Sequence, residues 1–374
     1  MRRQRILTVF GTRPEAIKMA PLVTELCRRS DEFDSVVAVT AQHRHLLDRV
    51  LDAFDIVPDF DLDIMREAQT LTEVTCRALQ GLSALVERAA PDAVLVQGDT
   101  TTTFAGALAA FYHKVPVGHV EAGLRTQDLM LPYPEEANRR LTTQVTRWHF
   151  APTTGAANNL LREGTVESSV YVTGNTAVDA LRLVADRPYE WELGPVRDAI
   201  KSGRRIIIVT AHRRESWGAP MAGICSAVLQ IVEQCPDVHV LFVAHPNPLV
   251  SIPVNDTLVG IERVDVIRAL DYVAFVHLQK AATLILSDSG GVQEEAPSLG
   301  TPVLVLREVT ERPEAVDAGI ARIVGTDPGR IVRETTCLLG DPVRYAAMVC
   351  ASSPFGDGHA AERICDVLAR ELSP

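Results

Sequence analysis

Short runs of β-branched and aliphatic residues recur along the chain, each followed by a stretch whose apolar positions repeat at helical spacing. Residues 6–10, 36–40, 93–97, 115–120 and 170–173 read as buried strands. Between them, 16–29, 71–88 and 101–113 carry the helical period. The alternation restarts at 205–210 and continues through 239–243, 264–268, 283–287, 302–306 and 321–324. Strand–helix alternation of this kind predicts parallel sheets with helices on both faces. The stretch 186–203, with Pro188, Gly194, Pro195 and Gly203, is the one plausible linker. The expected fold class is therefore α/β: two Rossmann-like domains, residues 1–174 and 175–374, with the last helix a candidate to cross back to the first.

The residues able to do chemistry fall almost entirely just past strand ends. Arg13 follows the first strand, Asp99 the third and Glu121 the fourth, while His212, His245 and Ser289 follow strands of the second half. In open α/β sheets, ligands bind beyond the carboxyl ends of the strands, so two such rims facing one cleft are expected.

Composition narrows the function classes. The 374 residues are 47% hydrophobic and 23% charged, as in ordinary globular proteins. No apolar run approaches the roughly 20 residues of a membrane helix. The first apolar run, 6–10, is shorter than the roughly seven residues of a secretory signal core, and a cytoplasmic protein is expected. Seven scattered cysteines without a C-x-x-C pair argue against a disulfide framework or a zinc site. A net charge of −11 disfavours nucleic acid or an anionic membrane as partner. An anionic small ligand needs its positive groups concentrated locally.

Two turns meet that need. Gly11-Thr12-Arg13-Pro14-Glu15-Ala16 places an arginine at a helix start, where backbone N–H groups already favour anions. A capped helix with a solvated arginine explains the turn equally well, and the single glycine excludes a dinucleotide fingerprint. Asp288-Ser289-Gly290-Gly291-Val292-Gln293-Glu294-Glu295 is sharper. Its paired glycines permit close backbone approach, Ser289 is a candidate cap, the helix N-terminus suits a diphosphate, and Glu295 is placed for ribose hydroxyls. His212, opening His212-Arg213-Arg214-Glu215, is a candidate phosphate contact, and Arg312 starts another helix. Asp99 and Glu121 end neighbouring strands on one rim, where proton transfer needs carboxylates within reach. Glu135 with Arg139 reads first as an i,i+4 pair.

Together, Gly11 to Pro21, Gly98-Asp99-Thr100-Thr101-Thr102, His119-Val120-Glu121-Ala122-Gly123-Leu124-Arg125, Pro134-Glu135-Glu136-Ala137-Asn138-Arg139, His212 to Glu215 and Asp288 to Glu295 resemble the non-hydrolysing UDP-N-acetylglucosamine 2-epimerases. The resemblance implies a GT-B fold. It also implies interconversion of UDP-N-acetylglucosamine and UDP-N-acetylmannosamine by elimination and re-addition of UDP through a 2-acetamidoglucal. The product would serve cell-surface polysaccharide, no metal or other cofactor is required, and a homodimer is usual. Asp99, Glu121, Glu135, His212 and Arg139 would be catalytic. Arg13, Lys18, Phe275, Ser289, Gly290, Gly291, Glu295 and Arg312 would hold the substrate. Gln42 and His245 match a second, activating UDP-N-acetylglucosamine site, in which His45 and Ala68 replace a glutamine and an arginine. A 2-epimerase of a related UDP-diacetamido sugar and a GT-B glycosyltransferase are the alternatives.

Overall fold

The structure is a computed structural model and describes residues 2–373 apart from 42–43, 67–68, 127, 193, 311 and 352. It divides into two compact units, residues 1–183 with 355–374, and residues 184–354.

The first unit is built on a parallel sheet of β1 (Gln4–Phe10), β2 (Phe33–Val39), β3 (Phe60–Asp61), β4 (Ala93–Gln97), β5 (Val117–Val120), β6 (Trp148–Ala151) and β7 (Val170–Val172). Their spatial order is β3-β2-β1-β4-β5-β6-β7. The inner strands are covered on both faces and read as continuous apolar runs, with Ile6, Leu7, Phe10 and Val94 to Val96 fully buried. β5 starts at Val117, later than the run 115–120 predicts, because Pro116 has no N–H to give a ladder. Thr12 caps the helix Arg13–Arg28, sharing a capping box with Glu15, so this helix begins before the expected residue 16.

The final helix, Ala360–Leu372, belongs to this unit. Its Asp366 pairs with Arg29 at 2.7 Å, and the Ala361 N–H donates to Asp179 Oδ1 at 2.8 Å. Asp179 lies on the helix Thr176–Ala185, most of which therefore sits with the first unit rather than beyond the expected boundary at 174/175.

In the second unit β8 (Arg205–Thr210), β9 (Val238–Ala244), β10 (Val264–Arg268), β11 (Leu284–Ser287), β12 (Val303–Val305) and β13 (Ala321–Ile323) are parallel in the order β10-β9-β8-β11-β12-β13. Ile207, Val209, Phe242, Leu284 and Leu286 centre its core. The stretch expected as linker contains the helix Pro195–Lys201, with Pro195 at its first position.

Each sheet reverses its order once, between β1 and β4 in the first unit and between β8 and β11 in the second. Helices cover opposite faces on the two sides of such a point, leaving a crevice past the strand ends. In the first unit the crevice is narrow at Gly11. A Cβ there would stand 2.1 Å from Thr40 Oγ1 and 2.7 Å from Thr102 Oγ1, two hydroxyls bonded to each other at 2.8 Å.

β5 and β6 also bring His119 opposite His149 in register, both buried. Burial holds His119 down to about 4 and His149 to about 3, against an ordinary value of 6.5. Both are thus neutral in the folded protein across the near-neutral range.

Two outcomes are expected. Gly11→Ala should lower unfolding free energy by about 1–3 kcal/mol through overpacking, read as a shift of the urea midpoint. Below 6.5 the unfolded chain binds protons that the two folded histidines refuse, so their contribution is complete above that pH and is lost as pH falls. Each histidine steepens the loss by up to ~1.4 kcal/mol per pH unit. Urea midpoints at near-neutral pH and near pH 5 should therefore diverge less in His149→Phe than in the wild type.

Candidate active site

At the switch point of the first unit a single buried carboxylate gathers both turns. Glu15 Oε2 accepts the N–H groups of Gly11 (3.1 Å) and Thr12 (2.7 Å) from the β1 turn. Its Oε1 accepts the hydroxyls of Thr100 (2.7 Å) and Thr103 (3.1 Å) from the β4 turn. Burial pushes this carboxyl up, and the hydrogen bonds pull against that. Arg13, at the first position of the adjoining helix, is exposed and makes no hydrogen bond or ion pair among the described residues. The positive N-terminal end of that helix favours an anion there.

Three carboxylates stand past β4 and β5. Glu121 has a positive φ of 63°, an uncommon backbone for a side chain other than glycine and one that marks functional positions. Its Oε1 meets Lys18 Nζ at 2.5 Å, and its Oε2 accepts from Gln97 Nε2. Asp99 Oδ2 meets Arg139 Nη2 at 2.5 Å, and the Asp99 carbonyl accepts from Asn138 Nδ2 at 2.9 Å. The helix Glu135–Val145 is thereby pinned to the Asp99 turn at two places. Arg139 is aimed by Glu136, whose fully buried carboxylate also takes Arg140 Nε (2.9 Å) and the Thr126 N–H (3.0 Å). Glu135 differs from these. Its Oε2 is buried and has no hydrogen-bond partner among the described residues, an arrangement that native proteins keep where a polar group awaits something else.

The second unit repeats the device. Asp288 is fully buried at the end of β11, and its Oδ2 accepts from His212 N (2.8 Å), Arg213 N (2.9 Å) and Ser216 Oγ (2.7 Å) in the turn after β8. His212 Nδ1 stands 3.3 Å from Asp288 Oδ1, and its ring stacks on the exposed His245 with centroids 5.9 Å apart. Burial lowers the His212 pKa; Asp288 opposes the shift. Past Asp288, Gly290 is buried and Gly291 exposed at the start of the helix Gly290–Ser298. Within it Glu294 is ion-paired with Arg312, Gln293 accepts from Thr310 Oγ1, and Glu295 Oε2 accepts from Gln279 Nε2 at 3.1 Å. Gln279 shares the helix Tyr272–Ala281 with the partly buried Phe275.

The sequence-expected residues thus fall into two groups. Arg13, Lys18, Asp99, Glu121, Glu135 and Arg139 stand at the rim of the first unit, and His212, His245, Phe275, Ser289, Gly290, Gly291, Glu295 and Arg312 at that of the second. Gln42 and Ala68 lie outside the described residues. Two expectations need correction. Arg139 pairs with Asp99 and Glu136, not with Glu135, because the side chain reaches across to the β4 turn. Ser289 occupies the N-cap position without a side-chain cap bond; its N–H instead donates to Ser287 Oγ at 3.0 Å. The reading missed Gln97, Glu136 and Asn138, and did not see what Glu15 and Asp288 do. Glu136 had a signal, since it is spaced i,i+3 and i,i+4 from two arginines; the others depend on contacts distant in sequence. Among the described residues no three His, Cys, Asp or Glu side chains are grouped as a metal site.

The family described as UDP-N-acetylglucosamine 2-epimerase matches residues 25–369. The enzyme of that name from Yersinia pestis is 53% identical over 369 residues, covering 97% of this chain and 98% of the relative. Its namesake from Escherichia coli K12 is 52% identical, with the same coverage. A crystal structure of UDP-GlcNAc 2-epimerase from Neisseria meningitidis, bound to UDP-GlcNAc, is 45% identical, covers 98% of this chain and 100% of its own, and superposes with a TM-score of 0.84. The two parallel-sheet α/β units are those of the GT-B-like fold of such structures. On its motifs, its fold and these matches, the chain belongs to the UDP-N-acetylglucosamine 2-epimerase family.

Proposed function

We propose that this protein interconverts UDP-N-acetylglucosamine and UDP-N-acetylmannosamine without net hydrolysis. The observation that carries the reading is the set of three carboxylates past β4 and β5, two of them held by cations and one with an unpartnered buried oxygen. A mere nucleotide binder has no use for such a set.

The C2 hydrogen of the sugar has no neighbouring carbonyl to acidify it. Breaking the C1–O bond first builds positive charge at C1, and that charge makes the C2 hydrogen removable. The proton passes to a carboxylate, the C1–O electron pair leaves with UDP, and 2-acetamidoglucal remains. Return of a proton to the opposite face of C2, with UDP oxygen re-bonding to C1, gives the epimer. One proton leaves and one returns, so the chemistry closes on acid–base groups and UDP. Glu135, Asp99 and Glu121 are the proton-handling groups in this reading, with Arg139 and Lys18 aiming the latter two through their ion pairs. Separating UDP needs stabilisation of the departing diphosphate. His212, the helix start at Ser289, Gly290 and Gly291, and the arginines Arg13 and Arg312 supply it. An anion beside His212 would raise its pKa again and favour the charged donor. Phe275 and Glu295 take the uridine, the latter through ribose hydroxyls. The reading brings with it a cytoplasmic homodimer feeding polysaccharide synthesis, and no helix among the described residues is long and apolar enough to cross a membrane.

Proton NMR of UDP-N-acetylglucosamine incubated with the protein in heavy water tests this. The expected result is UDP-N-acetylmannosamine appearing with deuterium at C2 of the recovered sugars. Epimer without C2 deuterium, or no epimer at all, would overturn the mechanism. Free sugar as the main product would point to hydrolysis, and UDP release only on adding an acceptor would point to a glycosyltransferase.

A further inference from the structure

Gly98 is the hinge on which Asp99 hangs. It has a φ of 76°, is buried, and links the last residue of β4 to the Asp99 turn. With no side chain to restrict it, the peptide between Gly98 and Asp99 turns easily unless its polar groups are held. Both polar groups of Gly98 are held by β5. Its N–H donates to the Val120 carbonyl at 3.0 Å, and its carbonyl lies 2.7 Å from His119 Nε2. Since a carbonyl only accepts, Nε2 carries the proton. His119 Nδ1 is buried without a hydrogen-bond partner among the described residues, so the imidazole spends its one polar contact on this carbonyl.

We infer that His119 is a positioning residue for the Asp99 carboxylate, acting through the Gly98 carbonyl. This rests on the epimerase reading above. Asp99 is held by Arg139 on its carboxylate and Asn138 on its carbonyl, and Glu15 ties Thr100 beyond it; among the described residues the His119 bond is the one made to the carbonyl of the Gly98–Asp99 peptide itself. Loss of the His119 donor leaves the Gly98–Asp99 peptide able to tilt between its tied neighbours, and the Asp99 carboxylate then shifts from its set position. His119 also lies two residues before Glu121, so the same strand end sets both carboxylates. Burial keeps the ring neutral; the hydrogen bond to the Gly98 carbonyl and Glu121 oppose it, and Arg125 and Arg139 add to it. The donor is therefore present throughout the near-neutral range.

The facing His149 provides a control. It is likewise buried and in register with His119, yet among the described residues no hydrogen bond from it reaches the turn. Turnover, KM and C2 deuterium exchange should be measured in His119→Phe, His119→Gln and His149→Phe. Misplacement of about 1 Å can cost up to ~10²-fold in rate. His119→Phe should thus lower kcat by about 10–100-fold with KM within about threefold. His119→Gln, whose amide N–H reaches about as far as Nε2, should recover most of the rate, and His149→Phe should retain it. Should His119→Phe fail to fold, His119→Asn takes its place, because its shorter amide falls short of the Gly98 carbonyl. Unchanged kcat on loss of the donor would overturn the inference, as would a His119→Gln no faster than His119→Phe. If the wild type itself shows no exchange, it is the epimerase reading that fails. Amide hydrogen exchange of the peptide spanning 98–103 then decides this inference alone: faster exchange in His119→Phe but not in His119→Gln supports it, and equal rates overturn it.

Discussion

A parallel sheet that reverses its strand order leaves two strand ends side by side whose following turns run to opposite faces. Nothing in the backbone ladder ties those turns together, and this is where the ligand has to be met. Here the tie is one buried carboxylate per unit. Glu15 takes four donors from the turns after β1 and β4, and Asp288 Oδ2 takes three from the turn after β8 while sitting on the end of β11. A buried ionised carboxylate is costly unless it is fully hydrogen-bonded. The four donors around Glu15 offset that cost and define where each turn must lie. Removing any of them leaves buried polar atoms unmet, at about 1–3 kcal/mol apiece.

The rest of each rim hangs from these ties. With the β1 and β4 turns joined, Lys18 on the first helix comes to Glu121, and Asp99 comes to Arg139. Ion pairs on a surface contribute little, but these are partly buried and their partners are fixed in turn, Arg139 by Glu136 and Glu121 by Gln97. Charges fixed before the substrate arrives need no reorganisation as the reaction proceeds, which is the usual source of electrostatic catalysis. Glu135 stands apart, its buried Oε2 without a hydrogen-bond partner among the described residues.

The fold was legible where burial is symmetric. β1, β4 and β8 are covered on both faces and announce themselves as apolar runs, and β8 and β10 begin and end where the sequence predicts. β3 is a two-residue edge strand, and β6, Trp148-His149-Phe150-Ala151, has two strand-favouring aromatics but no β-branched residue, so neither matched the β-branched runs by which the other strands were read. The rim was legible because chemistry-bearing residues cluster past strand ends, and the resemblance gave them roles. What sequence could not reveal was pairing across distance. Arg139 could be matched only to acids on its own helix, whereas its strongest partner is Asp99, 40 positions away. The carboxylates of Glu15 and Asp288 looked like parts of turns, since their donors come from other strands.

The central claim is the proposed division of labour: Asp99, Glu121 and Glu135 move the C2 proton, and His212, the helix start at Gly290 and the arginines hold the diphosphate. It is tested most directly by measuring turnover and, by calorimetry, UDP affinity in Asp99→Asn, Glu121→Gln and Glu135→Gln. The expected result is a fall in turnover of about 10²–10⁴-fold for each, with UDP affinity within about threefold of the wild type. UDP affinity falling in step with turnover, or turnover surviving all three substitutions, would contradict it.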